Sequence, residues 1–123
     1  MAARRPVFTE NFSTNLTAIR TFLGPERESA FQYLLDRLFH EIVPTLCRFP
    51  QSGRSFLSRS IRSTSAQTLV KKLQGRLEES DDLREFIADD YLLLYLLRGN
   101  LVVFLSVKHH RQLSFDLTRL WEP

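Results

Sequence analysis

The sequence predicts an α+β fold in which a small antiparallel sheet packs against a helical hairpin, with a further helix ahead of three C-terminal strands. Three observations carry this. Apolar residues recur at helical spacing on both sides of a Gly24-Pro25 break. The stretch from Leu83 to Val107 is dominated by apolar, strand-favouring runs separated by two short turn signals. No internal repeat or low-complexity segment divides the chain, so residues 1–123 are expected to form one domain.

Taken in order, Val7-Phe8 opens as a short strand, and Thr9 suits a helix N-cap because its hydroxyl can accept a bond from a free N–H of the first turn. Phe12, Leu16, Ile19 and Leu23 then make one apolar stripe, which Gly24-Pro25 ends. Pro25 is suited to the first position of a second, long helix. Its stripe is Ala30, Phe31, Leu34, Leu35, Leu38, Phe39, Ile42, Val43 and Leu46, running to about Phe49, with a kink expected at Pro44. So tight a connection predicts an antiparallel pair. From Pro50 to Ser63 no period is sustained and a long loop is expected. A third helix is predicted from about Ser65 to Glu79: Thr64 and Gln67 have capping-box spacing, and Ala66, Leu69, Val70, Leu73 and Leu77 form its stripe. Strands follow at Leu83 to Ala88, Tyr91 to Leu97 and Leu101 to Val107, joined at Asp89-Asp90 and Gly99-Asn100. In the tail, Leu113, Leu117, Leu120 and Trp121 again fall at helical spacing.

The hydrophobic fraction of 43% and ten Phe residues supply a real core, which excludes a disordered chain. A single cysteine, Cys47, excludes an internal disulfide framework and a cysteine-based zinc cluster. It is expected to be a small buried side chain in a protein of a reducing compartment. No stretch approaches a membrane span, because Arg98-Gly99-Asn100 interrupts the one long apolar region. The start lacks an apolar run of signal-peptide length, so a cytoplasmic location with no membrane partner is expected. Net charge is +3, and its distribution is blocked. Between Glu41 and Glu78 there are seven bases and no acid, and a run from Glu78 to Asp90 is then mostly acidic. Such blocks serve either as a functional basic surface or as a solvated face that the two halves neutralise.

Metal and nucleophile chemistry find little support. His109 and His110 are neighbours on a strand and point to opposite faces, His40-Glu41 lacks a second histidine, and no cofactor or metal is expected. No nucleophile elbow and no phosphate-binding glycine loop exist. What stands out is the end of the last strand, where Lys108, His109, His110 and Arg111 follow one another. Arg84 and Tyr91 are expected beside them on one exposed rim, a surface suited to an anionic or strongly polar partner. For phosphodiester cleavage, His109 or His110 would move the proton while Arg84, Lys108 and Arg111 held the phosphate. The competing reading is that Arg84 pairs with nearby acids and His109 merely ends a strand.

At these residues the chain resembles the RelE/ParE superfamily of type II toxin–antitoxin toxins. The resemblance rests on Val7-Phe8-Thr9, on the helical stripe Leu16 to Phe22, and on the pattern Leu46-Cys47-Arg48-Phe49-Pro50-Gln51-Ser52-Gly53-Arg54. It continues through Arg84-Glu85, Tyr91 to Tyr95, and Val103 to Val107 with His109 and Arg111. Members that cut mRNA place an arginine directly after the first tyrosine, where this chain has Leu92. That departure, together with Phe-Pro-x-x-Gly-Arg, looks more like the gyrase-poisoning, ParE-like branch. The helix around Thr64 to Glu79 is an insertion relative to the family pattern.

The resemblance therefore implies a toxin that poisons DNA gyrase and is neutralised by a cognate antitoxin, with which it forms a hetero-oligomer. A ribosome-dependent mRNA endonuclease acting through Arg84, His109, His110 and Arg111 is the alternative. Target contacts are expected from Arg54, Arg84, Tyr91, Lys108, His109, His110 and Arg111. Replacing His109 and Arg84 together by alanine is expected to abolish toxicity without unfolding the domain.

Overall fold

The computed structural model of the chain describes residues 3–55 and 80–109. The expected helix around Thr64 to Glu79, the tail stripe, His110 and Arg111 lie outside the described residues. A five-stranded sheet, in the order β1-β5-β4-β3-β2, carries the helices on one face. Its strands are β1 (Arg5–Phe8), β2 (Arg54–Ser55), β3 (Asp82–Ala88), β4 (Tyr91–Arg98) and β5 (Leu101–His109). The three C-terminal strands are antiparallel neighbours, as expected from their turns. Gly99 takes φ +55° and Asp89 φ +54°, left-handed conformations that glycine and aspartate tolerate best. β1 enters parallel to β5, which makes the sheet mixed.

Thr9 caps α1 (Glu10–Leu23) as anticipated, its hydroxyl accepting the Phe12 N–H at 3.1 Å. Phe12, Ile19 and Leu23 are buried along the helix and Gly24 ends it at φ +81°. A single 3₁₀ turn, Pro25–Arg27, leads into α2 (Glu28–Arg37). Arg20 clamps the turn: it pairs with Glu28 and its guanidinium lies 5.4 Å from the Phe31 ring centroid. The predicted long helix is broken where Pro44 cannot donate a hydrogen bond. One π-turn spans Leu38–Ile42 immediately upstream, and α3 (Val43–Arg48) continues beyond it. Of the predicted stripe, Phe31, Leu34, Leu38, Ile42, Val43 and Leu46 are buried, whereas Ala30 is exposed. Phe39 remains 39% exposed and closes edge-on over Phe8.

The core lies between these helices and one sheet face: Phe12, Ile19, Leu38, Leu46, Leu93, Tyr95, Val102, Phe104 and Val107 are all fully buried. Each such aliphatic or aromatic side chain stabilises the fold by about 1.5–3 kcal/mol relative to exposure. A β-bulge lets β5 supply its share. Leu94 faces Ser106 and Tyr95 faces Phe104, so Leu105 is an extra residue. It shifts the alternation, and Val102, Phe104, Val107 and His109 all turn toward the helices. The helix start secures the displaced backbone: the Thr9 hydroxyl donates to the Phe104 carbonyl at 3.0 Å and Asn11 Nδ2 donates to the Leu105 carbonyl at 2.8 Å. Buried Asn15 accepts the Val107 N–H at 3.1 Å.

Candidate functional site

The Pro50–Gly53 segment is not the open loop its composition suggests. Residues Pro50–Ser52 form a 3₁₀ turn and Arg54–Ser55 pair with Glu85 and Arg84 as β2. The lock is Tyr95, which the sheet alternation points into the core with its hydroxyl at the rim. That hydroxyl accepts the Gly53 N–H at 2.9 Å and donates to the Pro50 carbonyl at 2.7 Å. Arg84 adds two bonds, to the Gly53 carbonyl at 2.7 Å and the Gln51 carbonyl at 3.4 Å, while its Nε donates to Asp82 at 2.8 Å. A Cβ at position 53 would collide with the Tyr95 hydroxyl and lie 2.5 Å from the Glu85 carbonyl, so only glycine fits. Burial raises the Tyr95 phenol pKa, which keeps its proton available for Pro50. Phe-Pro-x-x-Gly-Arg thereby becomes a rigid corner. It presents Phe49, 59% exposed, and Arg54, whose side chain reaches the buried Glu85 carboxylate at 3.4 Å.

At the other end of the sheet, His109 is only 7% exposed. Tyr91 meets it edge-on at 5.0 Å and Phe22 tilts against it at 5.3 Å. Tyr91 is half-buried, and burial followed by the nearby Asp90 carboxylate raises its phenol pKa. Beside it a cleft of about 420 Å³ opens between α2 and the β3–β4 turn, bordered by Ser29, Tyr33, Arg37, Asp89 and Tyr91. Arg37 is engaged there by both Glu41 and Asp89. Lys108, one residue from His109, points to the opposite face beside Leu92.

The expected single rim is therefore not assembled. Arg84 faces Tyr95 and His109 faces Tyr91, four positions further along β4 and across two strand steps. At strand spacings this puts their α-carbons about 16 Å apart. Arg84 is absorbed by the loop corner and Asp82, as the acid-pairing alternative anticipated, and His109 is packed between rings. Of the expected surface, Arg54 and Lys108 are the cations left toward solvent among the described residues named for it. Sequence reasoning did not single out the Tyr95 hydroxyl and missed what it binds. Among the described residues no group of His, Cys, Asp or Glu is placed to hold a metal ion. No helix there is long and apolar enough to cross a membrane.

A family model described as the ParE toxin of type II toxin-antitoxin system, parDE, matches residues 7–114. No curated protein matches the chain significantly.

Proposed function

The chain belongs to the ParE toxin family of type II toxin–antitoxin systems, and from that premise we propose that it arrests growth by poisoning DNA gyrase until its cognate antitoxin captures it. The observation that carries a binding mechanism is the burial of His109 between Tyr91 and Phe22. A general base must reach the proton that it abstracts, and this imidazole is enclosed by rings. The phosphate-holding cation of the endonuclease reading is absent from its family position, where Leu92 faces away from Tyr91 and His109. Arg84, one of the three cations expected to hold a phosphate, already donates to two backbone carbonyls and Asp82.

Under this reading the target-binding surface is the rigid corner, with Arg54 as its contacting cation and Arg84 as a positioning residue. Tyr91, Lys108 and His109 shape the second end of the sheet. The deciding measurement uses purified protein with gyrase and, in parallel, with translating ribosomes. Accumulation of gyrase-cleaved DNA with intact mRNA is the expected result. Cut mRNA with gyrase unaffected would instead establish the endonuclease.

A further inference from the structure

The sheet face turned away from the helices is buried at one place and open at others. Leu83, 1% exposed, stands opposite Leu96, 5% exposed, and Glu85, 2% exposed, follows two positions further along β3. Strand alternation puts all three on this outer face, because Leu93, Tyr95 and Leu97 turn toward the helices. Leu83 and Leu96 accordingly lie outside the core cluster to which the described helices contribute. Elsewhere on the same face Ile87 is 58% exposed and Val7 39%. Glu85 adds a demand of its own. A carboxylate withdrawn from water needs cations close by, and Arg54, which reaches it at 3.4 Å, is itself 59% exposed. Residues 56–79 leave β2 after Ser55, the partner of Arg84, and the chain rejoins the sheet at Asp82, so both their ends sit beside this spot. Their composition complements it twice. The apolar stripe Leu69, Val70, Leu73 and Leu77 suits Leu83 and Leu96, and the bases Arg59, Arg62, Lys71, Lys72 and Arg76, with no acid ahead of Glu78, suit Glu85.

We propose that residues 56–79 pack back against their own sheet, with the stripe Leu69, Val70, Leu73 and Leu77 on Leu83 and Leu96 and a basic side chain against Glu85. A second copy of the chain is the lesser fit, because Leu83 and Leu96 are already buried within one chain. The residues after His109 are a lesser fit as well. They depart where His109 pairs with Tyr91, about 17 Å along β4 from Leu96. The segment that departs from the family pattern thereby has a place in this fold: it shields an apolar part of the sheet that would otherwise be a sticky surface. The same part of the face is then occupied by the chain itself and does not serve as a gyrase or antitoxin contact. The inference is independent of the gyrase reading.

The test is methyl NMR of the full chain with a soluble paramagnetic probe. In the parent, Leu83 and Leu96 should keep their intensity while Ile87 is bleached, and their methyl groups should show NOEs to Leu69, Val70, Leu73 or Leu77. Leu69→Asp/Leu73→Asp should leave Leu83 and Leu96 bleached like Ile87, with Leu93 and Val102 of the core still protected, which separates local uncovering from unfolding. Deleting residues 112–123 should not change the protection of Leu83 and Leu96. Protection of these two that survives in the folded aspartate variant would overturn the proposal. So would its loss on dilution of the parent, which would assign the face to a second copy, or its loss on deletion of the tail. If the aspartate variant fails to fold, the parent's NOEs decide: none from Leu83 or Leu96 to the stripe would overturn the proposal.

Discussion

Tyr95 and Gly53, 42 positions apart in sequence, meet through one hydrogen bond in which the Gly53 N–H donates to the phenol oxygen at 2.9 Å. The same oxygen donates onward to Pro50 at 2.7 Å, so a single side chain satisfies a buried donor and a carbonyl of the corner that bears Arg54. Sheet, corner and candidate surface are thus one mechanical unit.

Gly53→Ala should be disproportionately costly. The new methyl group would strike the Tyr95 hydroxyl and the Glu85 backbone, and backbone cannot step aside as a flexible side-chain end does. Overpacking of this kind costs about 1–3 kcal/mol. Urea unfolding should show a lower midpoint at unchanged slope.

Tyr95→Phe keeps the ring but orphans the Gly53 N–H and the Pro50 carbonyl, a loss of about 1–3 kcal/mol. It should also alter the alkaline limb of stability. Burial raises the Tyr95 phenol pKa above its unfolded value. Its stabilising contribution is therefore fully present below the unfolded value of about 10 and is lost as pH rises through the folded one. Melting temperature should fall steeply above that pH in the parent and less steeply in Tyr95→Phe. Tyr91, shifted in the same direction by burial, leaves a residual slope. Identical alkaline limbs would show that the Tyr95 hydroxyl is not sealed.

Asn15→Ala tests the bulge. Its carboxamide oxygen accepts the Val107 N–H in the core, beside the extra residue Leu105. Losing it leaves a buried donor unpaired, at about 1–3 kcal/mol. Hydrogen exchange at Val107 should accelerate more than exchange at Val102, which lies at the far end of β5.

Local chemistry made much of this fold legible in advance. Thr9 as a cap, Gly24-Pro25 as a stop, and the turns at Asp89-Asp90 and Gly99-Asn100 all depend on residues within a few positions of one another. The bulge at Leu105 does not, because the helix residues that secure it lie more than 90 positions away. Its effect on the candidate site is nonetheless decisive. One added residue reverses which of Lys108 and His109 faces the helices, given that Val102 and Phe104 already do. Nor does any spacing in the chain announce that Arg4 will lie against Cys47.

His109→Ala combined with Arg84→Ala is now expected to unsettle the domain, contrary to the sequence-based expectation of an intact fold. The first opens a hole between Tyr91 and Phe22, and the second frees the Gly53 carbonyl. Their α-carbons are about 16 Å apart along the sheet, so the losses should add within about 0.5 kcal/mol. Chemical denaturation of both single variants and the double variant checks this. Strong non-additivity would mean that the two ends of the sheet are coupled.

Arg54→Ala separates recognition from stability. Its side chain is 59% exposed, and although Glu85 at 3.4 Å is itself buried it keeps a further partner, so losing this half-exposed contact should cost about 1 kcal/mol. Unfolding should therefore move little, whereas gyrase-dependent DNA cleavage should fall about tenfold or more if Arg54 makes a desolvated charged contact with the target. Arg84→Ala should lower cleavage as well, but through the corner it positions, and so in step with its loss of stability. A stable Arg54→Ala protein that still poisons gyrase at the parent's concentration would move the target surface away from β2.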